Sequence, residues 1–461
     1  MALRFGTDGV RGLANTELTP DVAMALGRAA VEVLGADGFV IGRDTRRSGP
    51  MLEAALVAGI CSAGSDVELL GVVPSPAVAW ASASLNRPGA VISASHNPFA
   101  DNGIKLFAPG GLKLDDDIET RIEAAYFALL GGGYGDGGSG DAGSSESSDP
   151  RSTVTGADVG TLAASGGIDG WIDEVCASIG GRTLDGLTIV LDCANGSASG
   201  HGPRIFKALG ATIHVIGDDP NGININDGYG STDPTRLSEA VVGWNADLGL
   251  AFDGDADRLI AVDNEGAVVD GDRVLALLAV DWAGRGQLRH NTVVVTVMSN
   301  LGFHRAMAEA GIGVVTTAVG DRYVLQALDD RHLSLGGEQS GHVICRDLAT
   351  TGDGALSGVQ LADTILRAGV PLSRMAADAM TTVPQILHNI RLPQRDDGLV
   401  ARMAEEISRV EALFGADGRV LVRASGTEPL LRVMVEHVDP RIADESCKQL
   451  VSAAQRLVGP S

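Results

Sequence analysis

Three times along the chain, a short apolar run of strand character leads through a polar loop and a helix-like stretch to a second apolar run. This alternation limits the fold more than any other feature. "GFVIGRDTRRSG", "PMLEAALVAGICSAG" and "DVELLGVV" make up the first set. "LTIVLDCANGSASGHGPRIFKALGATIHVIG" repeats it, and "NTVVVTVMSNLGFHRAMAEAGIGVVTTAVG" repeats it again. Alternating strands and helices favour a parallel, doubly wound sheet in each unit. Near the end the style changes. A helix-like "LVARMAEEISRVEALFG" precedes the strand-like "GRVLVRAS" and "EPLLRVMVEHV", and "DESCKQLVSAAQRLV" closes as a helix, which reads as a smaller α+β domain. A chain of 461 residues exceeds what one core organises, and size scaling agrees with roughly three or four domains.

Composition narrows the partners. The formal net charge of -24 argues against nucleic acid and anionic membranes, which need a broad basic face to displace counterions. A small anionic substrate then requires a locally basic cleft. Only Lys105, Lys113, Lys207 and Lys448 are lysines among the 35 basic residues, so Lys105 beside a polar motif stands out, with a solvated surface residue as the alternative. The five cysteines (Cys61, Cys176, Cys193, Cys345 and Cys447) are scattered and form no C-x-x-C pair, which fits a reducing compartment without disulfides or a thiolate zinc site. "MALRFGTDGVRG" has no apolar signal core and no apolar run reaches membrane length, so a soluble cytoplasmic protein is expected. The Gly- and Ser-rich residues 131–149 read as a linker or loop. A literal G-x-G-x-x-G at Gly133, Gly135 and Gly138 opens no helix there, and the dinucleotide-binding context fails.

"ADLGLAFDGDADRLIAVD" carries the sharpest chemical signal, with Asp253, Asp255 and Asp257 at alternate positions after an apolar strand and Arg258 behind them. Alternate residues on a straight strand lie about 6.6 Å apart. Ligands of one small hard cation must converge to about 2.1 Å from it, so the chain has to curl, and Gly254 and Ala256 are small enough to allow that. A solvated acidic turn is the alternative. An EF-hand is rejected, because Arg258 stands where its glycine belongs and Asn264 where its glutamate belongs. Magnesium held by carboxylates and a phosphate oxygen fits better.

"AVISASHNPF" places Ser93, Ser95 and His96 after another apolar run. No G-x-S-x-G elbow is present, and adjacent side chains on an extended strand point to opposite sides, so His96 is badly placed as a base for Ser95. "VLVRASGTEPLLRV" sets Arg423, Ser425, Gly426, Thr427 and Arg432 around a turn, a phosphate cradle of backbone N–H groups, hydroxyls and guanidinium groups; an ordinary Ser-Gly turn with surface arginines is the alternative. "LGGEQSGHV" supplies Glu338, Ser340 and His342, a set suited to sugar hydroxyls, although a lone histidine is usually structural. Arg11 and Arg43 are placed either to reach a reacting phosphate or to pair with Asp8 and Asp44.

Taken in order, "GTDGVRG", "ISASHNP", "DGDADR", "GEQSGH" and "RASGTEP" resemble the signature loops of the α-D-phosphohexomutase superfamily over essentially the whole chain. Within it, "GEQSGH" and "ISASHNPFADNGIKLF" look most like the bacterial branch that converts glucosamine 6-phosphate to glucosamine 1-phosphate on the route to UDP-N-acetylglucosamine and cell-wall synthesis. The resemblance implies three similar mixed-sheet α/β domains and a smaller α+β domain around a central active-site cleft. The first (1–155) carries the phosphoserine loop, the second (156–262) the metal loop, the third (263–378) the sugar loop and the fourth (379–461) the phosphate loop. It implies that Ser95 is phosphorylated, that Asp253, Asp255 and Asp257 bind one Mg²⁺ together with a phosphoserine oxygen, and that Glu338 and Ser340 hold sugar hydroxyls. Arg423, Ser425, Gly426, Thr427 and Arg432 would grip the phosphate that is not reacting. Lys105 and His342 match the candidates for proton transfer, with Arg11 and Arg258 among the nearby cations. Glucosamine 1,6-bisphosphate or glucose 1,6-bisphosphate is the expected intermediate or activator, a hexosamine phosphate the partner, and a monomer or homodimer the assembly. Ala424 departs from relatives that carry Lys or Pro there. Rival readings are a phosphoglucomutase or phosphomannomutase of the same superfamily, a sugar-phosphate phosphatase, a serine hydrolase and a non-catalytic sensor.

Overall fold

The computed structural model describes residues 9–131, 154–164, 166–394, 396, 398–424 and 429–458. Most of the Gly- and Ser-rich segment, with its G-x-G-x-x-G, lies outside them, as do Asp8 and the turn residues Ser425, Gly426 and Thr427.

Among the described residues, three mixed sheets share one plan. In the first, strand Gly38–Arg43 lies parallel between Asp66–Val72 and Gly89–Ile92, and Gly89–Ile92 pairs antiparallel with Asp101–Ala108. In the second, Thr188–Asp192 lies parallel between Thr212–Ile216 and Leu248–Phe252, whose other neighbour is antiparallel Leu259–Asp263. In the third, Thr292–Thr296 lies parallel between Gly313–Thr317 and Leu335–Gly337, followed by antiparallel Val343–Cys345. Periodicity alone favoured a parallel sheet; each sheet is mixed, as the resemblance implied. The cause is connection length. A parallel crossover needs about a dozen residues, and the links from third to fourth strand, residues 93–100, 253–258 and 338–342, are shorter than that. Each fourth strand has to turn back, and each of these links is one of the chemical motifs.

Edge strands extend two of the sheets. Strand Val10–Leu13 adds to the first and sets Arg11 opposite Gly103. Strand Leu162–Ala164 joins the same sheet beside Asp66–Val72, so that sheet reaches past residue 155, and Val268–Val269 carries the second sheet past residue 262. The C-terminal unit is an antiparallel sheet with Leu430–His437 between Gln385–Arg391 and Gly418–Ala424, covered by helix Pro440–Val458. Its last two strands form the hairpin around the fourth motif.

One apolar core runs through the first three units, joining Val78 and Val91 to Phe206 and Phe252 and on to Phe303 and Leu335. The first unit has a second core on its other face, around Leu26, Ile41 and Leu56, beneath helices Pro20–Leu34 and Gly49–Ser62. Those helices pack closely because of Gly59, where a Cβ would lie 2.1 Å from the Met24 carbonyl oxygen. Helix Pro20–Leu34 is well terminated: the Thr19 hydroxyl accepts from Val22 N–H, proline occupies the first turn, and Gly35 takes the left-handed position at the end. The C-terminal core, around Phe414, Leu431, Val433 and Leu450, is separate. That unit meets the third through polar contacts. Glu436 accepts from Asn300 Nδ2 (3.1 Å) and Leu301 N (3.0 Å) while pairing with Arg419 at 2.5 Å.

Candidate active site

The first link, residues 93–100, delivers Ser95 to the mouth of the second. Ser95 has a left-handed backbone (φ 51°), and its Oγ donates to Asp253 Oδ2 at 2.5 Å. His96 Nδ1 is farther away, at 3.3 Å, and burial, with Arg258 and Arg11 nearby, pushes its pKa down to about 4. The serine is thus committed to the acidic loop and not to a histidine base. Ser93 has a different part. Its Oγ donates to Asp44 Oδ2 (2.6 Å) and accepts from Ser95 N (2.9 Å), so it supports the loop from beneath.

The acidic loop curls as its spacing requires. Ala256 takes φ 58°, Ala256 N bonds back to Asp253 O, and carboxylate oxygens of Asp253, Asp255 and Asp257 all lie within 4.8 Å of one another. Gly254 allows the serine loop to approach, since a Cβ there would sit 2.6 Å from Ser95 O. Crowding buried anions is unfavourable. Burial, then the charges of Asp257 and Asp255, drives the Asp253 carboxyl well above its usual range. Burial opposes ionisation of Asp257 too, yet Lys105, His342 and Arg258 hold its carboxyl well below that range. Among the described residues, Asp255 Oδ1 and Asp257 Oδ1 are buried without a hydrogen-bond partner. Hard oxygen donors, mutual repulsion and orphaned lone pairs together suit a metal ion.

Lys105 borders the triad, with Nζ 2.8 Å from Asp255 Oδ2 and 3.1 Å from Asp257 Oδ2, and Ser75 Oγ donates to Asp255 Oδ2 at 2.6 Å. His342 enters from the third unit, with Nδ1 3.7 Å from Asp257 Oδ1 and Nε2 3.4 Å from Asp321 Oδ2. Burial alone would lower its pKa, but Asp257 and Asp321 outweigh that and hold it above the ordinary value. Arg258 donates its backbone N–H to Asp253 Oδ1, and its charge is reinforced by the acidic loop despite burial.

Glu338 accepts from Gly320 N (3.1 Å) and Ser340 Oγ (3.3 Å), and the loop is pinned by Leu259 N donating to Gly341 O. Arg423 and Arg432 stand directly opposite each other across the C-terminal hairpin. Like charges opposed in this way destabilise a sheet unless an anion joins them. Burial and the neighbouring Arg432 lower the Arg423 pKa, while Glu338 raises it, so the Glu338 loop and the arginine pair share one field.

One expectation needs correcting, and one residue was missed. Arg43 pairs with Glu53 (3.2 Å), and the side chain that pairs with Asp44 is Arg46 (2.9 Å). Arg43 was the first arginine of "GRDTRRSG" and drew the reading, whereas burial singles out the second. Asn226 escaped notice within the turn-rich "NGININDGYG". It takes φ 59° and reaches across from the second unit to donate to Ser95 O (2.9 Å) and Asn97 O (3.2 Å).

Family models for phosphoglucomutase/phosphomannomutase match the chain in four pieces: alpha/beta/alpha domain I over residues 2–130, domain II over 169–266, domain III over 270–383 and the C-terminal domain over 387–453. The chain belongs to this family. Among its relatives, the phosphoglucosamine mutase of Rhodococcus opacus (strain B4) is 47% identical over 98% of both chains, and that of Pelotomaculum thermopropionicum (strain DSM 13744 / JCM 10971 / SI) is 49% identical over 95% of both. A phosphoglucomutase/phosphomannomutase family protein from Burkholderia thailandensis superposes with a TM-score of 0.78 at 25% identity, covering 98% of each chain. The N-acetylphosphoglucosamine mutase of Aspergillus fumigatus, solved with GlcNAc-6P and magnesium, shares the fold at a TM-score of 0.69 and 17% identity, covering 100% of this chain and 96% of that one. The links 93–100, 253–258 and 338–342 thus occupy the same topological position in three successive units of this fold.

Proposed function

We propose that this mutase interconverts glucosamine 6-phosphate and glucosamine 1-phosphate through a phosphoserine at Ser95 and a glucosamine 1,6-bisphosphate intermediate. The observation that carries the reading is the Ser95 hydroxyl held 2.5 Å from Asp253 within a buried carboxylate triad. The near-full-length likeness to phosphoglucosamine mutases supports the choice of sugar. In the forward direction, the bond from phosphorus to Ser95 Oγ breaks as one forms to the free sugar oxygen, whose proton passes by way of Lys105 or His342 to the departing Ser95 Oγ. The bisphosphate then turns, and its other phosphate returns to Ser95. Phosphate monoesters hydrolyse so slowly unaided that known accelerations reach about 10²¹-fold, which makes charge neutralisation and alignment the main tasks.

Asp253, Asp255 and Asp257 are the residues that would hold Mg²⁺, whose positive charge offsets that of the transferring phosphoryl group. Arg11 and Arg258 add to that neutralisation. Glu338 and Ser340 orient the sugar. Arg423 and Arg432, with Ser425, Gly426 and Thr427, hold whichever phosphate is not reacting, and glucosamine or glucose 1,6-bisphosphate restores phosphate lost from Ser95. The product feeds UDP-N-acetylglucosamine and peptidoglycan precursors in the cytoplasm, with the enzyme acting as a monomer or homodimer.

Incubation with glucosamine 6-phosphate, Mg²⁺ and catalytic bisphosphate should yield glucosamine 1-phosphate, with kcat/KM above that for glucose or mannose phosphates. Release of free phosphate instead indicates a phosphatase, and a clear preference for glucose 1-phosphate would overturn the choice of sugar. Arg432→Ala should raise KM for the sugar phosphate by about 10- to 100-fold, from loss of charge-assisted bonds worth roughly 1.5–3 kcal/mol, with kcat changed less. Steady-state kinetics at saturating bisphosphate measure that split.

A further inference from the structure

Arg46 is 0% exposed and heads the largest fully buried side chains among the described residues. A guanidinium has five N–H donors, and here every one has an acceptor. Nε donates to Asp44 Oδ2 (2.9 Å), Nη1 to the carbonyls of Pro98 and Asp101 (3.0 Å to Asp101), and Nη2 to those of Ser95 (2.9 Å) and Asn97 (2.7 Å). Three carbonyls of the serine loop and that of Asp101, which opens the next strand, therefore converge on a single cation. Without it these carbonyls would lose the cation that gathers them, and Asn226 Nδ2 would be left as the side-chain donor to Ser95 O and Asn97 O. Asp44 balances the charge and extends the network, because it also accepts from Arg46 N and from Ser93 Oγ, which in turn accepts from Ser95 N. Ser95 is thus gripped at both its N–H and its carbonyl while holding φ 51°. For a residue other than glycine that conformation costs about 1–2 kcal/mol and persists only when surrounding contacts fix it.

We propose that Arg46 is a positioning residue for phosphoryl transfer: by drawing the loop's carbonyls inward, it turns the Ser95 side chain outward against Asp253. The proposal rests on Ser95 being the residue that carries the phosphate. Arg46 sits behind the loop and acts through it. Lysine is a poor substitute, since three donors on one nitrogen cannot span a planar fork's acceptors.

The test uses full-length Mg²⁺-loaded protein with Arg46→Lys and Arg46→Ala, measuring kcat and KM for glucosamine 6-phosphate, the phosphate on Ser95 by peptide mapping, and Tm. Arg46→Lys should lower kcat about 100-fold, the size expected for a misplacement of about 1 Å, while KM stays within about threefold. Millimolar guanidinium, against sodium at equal ionic strength, should restore part of the Arg46→Ala activity. Leu26→Ala, in the first unit's other core, controls for lost stability and should lower Tm while retaining kcat below that temperature. Should the Arg46 variants fail to fold, Ser93→Ala removes one link of the same network and should lower kcat about tenfold. Wild-type kcat in folded Arg46→Lys, a loss expressed in KM alone, an equal loss in Leu26→Ala, or wild-type kcat in Ser93→Ala overturns the positioning role. Wild-type protein carrying its phosphate elsewhere than Ser95 overturns the serine assignment itself, a result distinct from the others.

Discussion

Ser95→Ala should abolish turnover, lowering kcat by at least about 10⁴-fold and leaving no phosphate on the purified protein. The size follows from the geometry. Ser95 Oγ is the hydroxyl on Asp253, and the nearest alternative in the loop, Ser93, is already bonded to Asp44 and to Ser95 N. Promoting Ser93 would break both bonds and unseat the loop. The variant should remain folded, because the substitution removes one atom and leaves the Arg46 and Asn226 contacts to the Ser95 carbonyl in place. Incubation with labelled bisphosphate followed by peptide mapping measures the phosphate, and a coupled assay measures turnover. Substantial activity with phosphate on Ser93 would sink the assignment.

The second large effect concerns the acidic triad. Chelation of divalent metal should lower activity by more than about 10³-fold, and Mg²⁺ should restore it. Bound metal should also raise Tm, since a ligand present at 100 times its Kd stabilises the native state by about 2.7 kcal/mol. Asp253→Asn separates function from stability. The amide oxygen can still accept from Arg258 N–H, and the NH₂ that replaces Oδ2 can donate to Ser95 Oγ, but one crowded anion is gone. Burial and two neighbouring carboxylates already push the Asp253 pKa well up, so its charge destabilises the metal-free fold at neutral pH. The variant should therefore equal or exceed the parent's Tm without metal, lose most of the Mg²⁺-induced rise, and lose activity by about 10³-fold. Thermal melts with and without Mg²⁺, run beside the assay, measure all three. A metal-free Tm far below the parent's would mean that the triad is structural.

The motifs were legible because each is a short connection whose chemistry is set within a few residues. Asp253, Asp255 and Asp257 with small Gly254 and Ala256 between them spell out a curled carboxylate cluster, and the curl is present. The three α/β units were legible through their periodicity, although the reversed fourth strand was not read from the short links that dictate it. The roles of neighbouring residues were harder to read. Arg43 and Arg46 look alike in "GRDTRRSG", yet one pairs with Glu53 while the other is buried at 0% exposure beneath the serine loop. Asn226 sits among turn-forming residues, and nothing local distinguishes a loop asparagine from one that reaches into the neighbouring unit.

Sequence by itself determined which chemistries are present: a serine loop, a metal-suited acidic loop, a sugar-suited loop and a pair of arginines, each specified by residue types at close spacing. Only the tertiary structure decided which serine lies against Asp253, what Lys105 faces and which arginine bonds the loop's carbonyls. Ser95 meets Asp253 across a sequence separation of 158 and Lys105 meets Asp255 across 150. Turn propensity and charge spacing act over a handful of residues, whereas partners that far apart are brought together only when whole sheets pack against a common core.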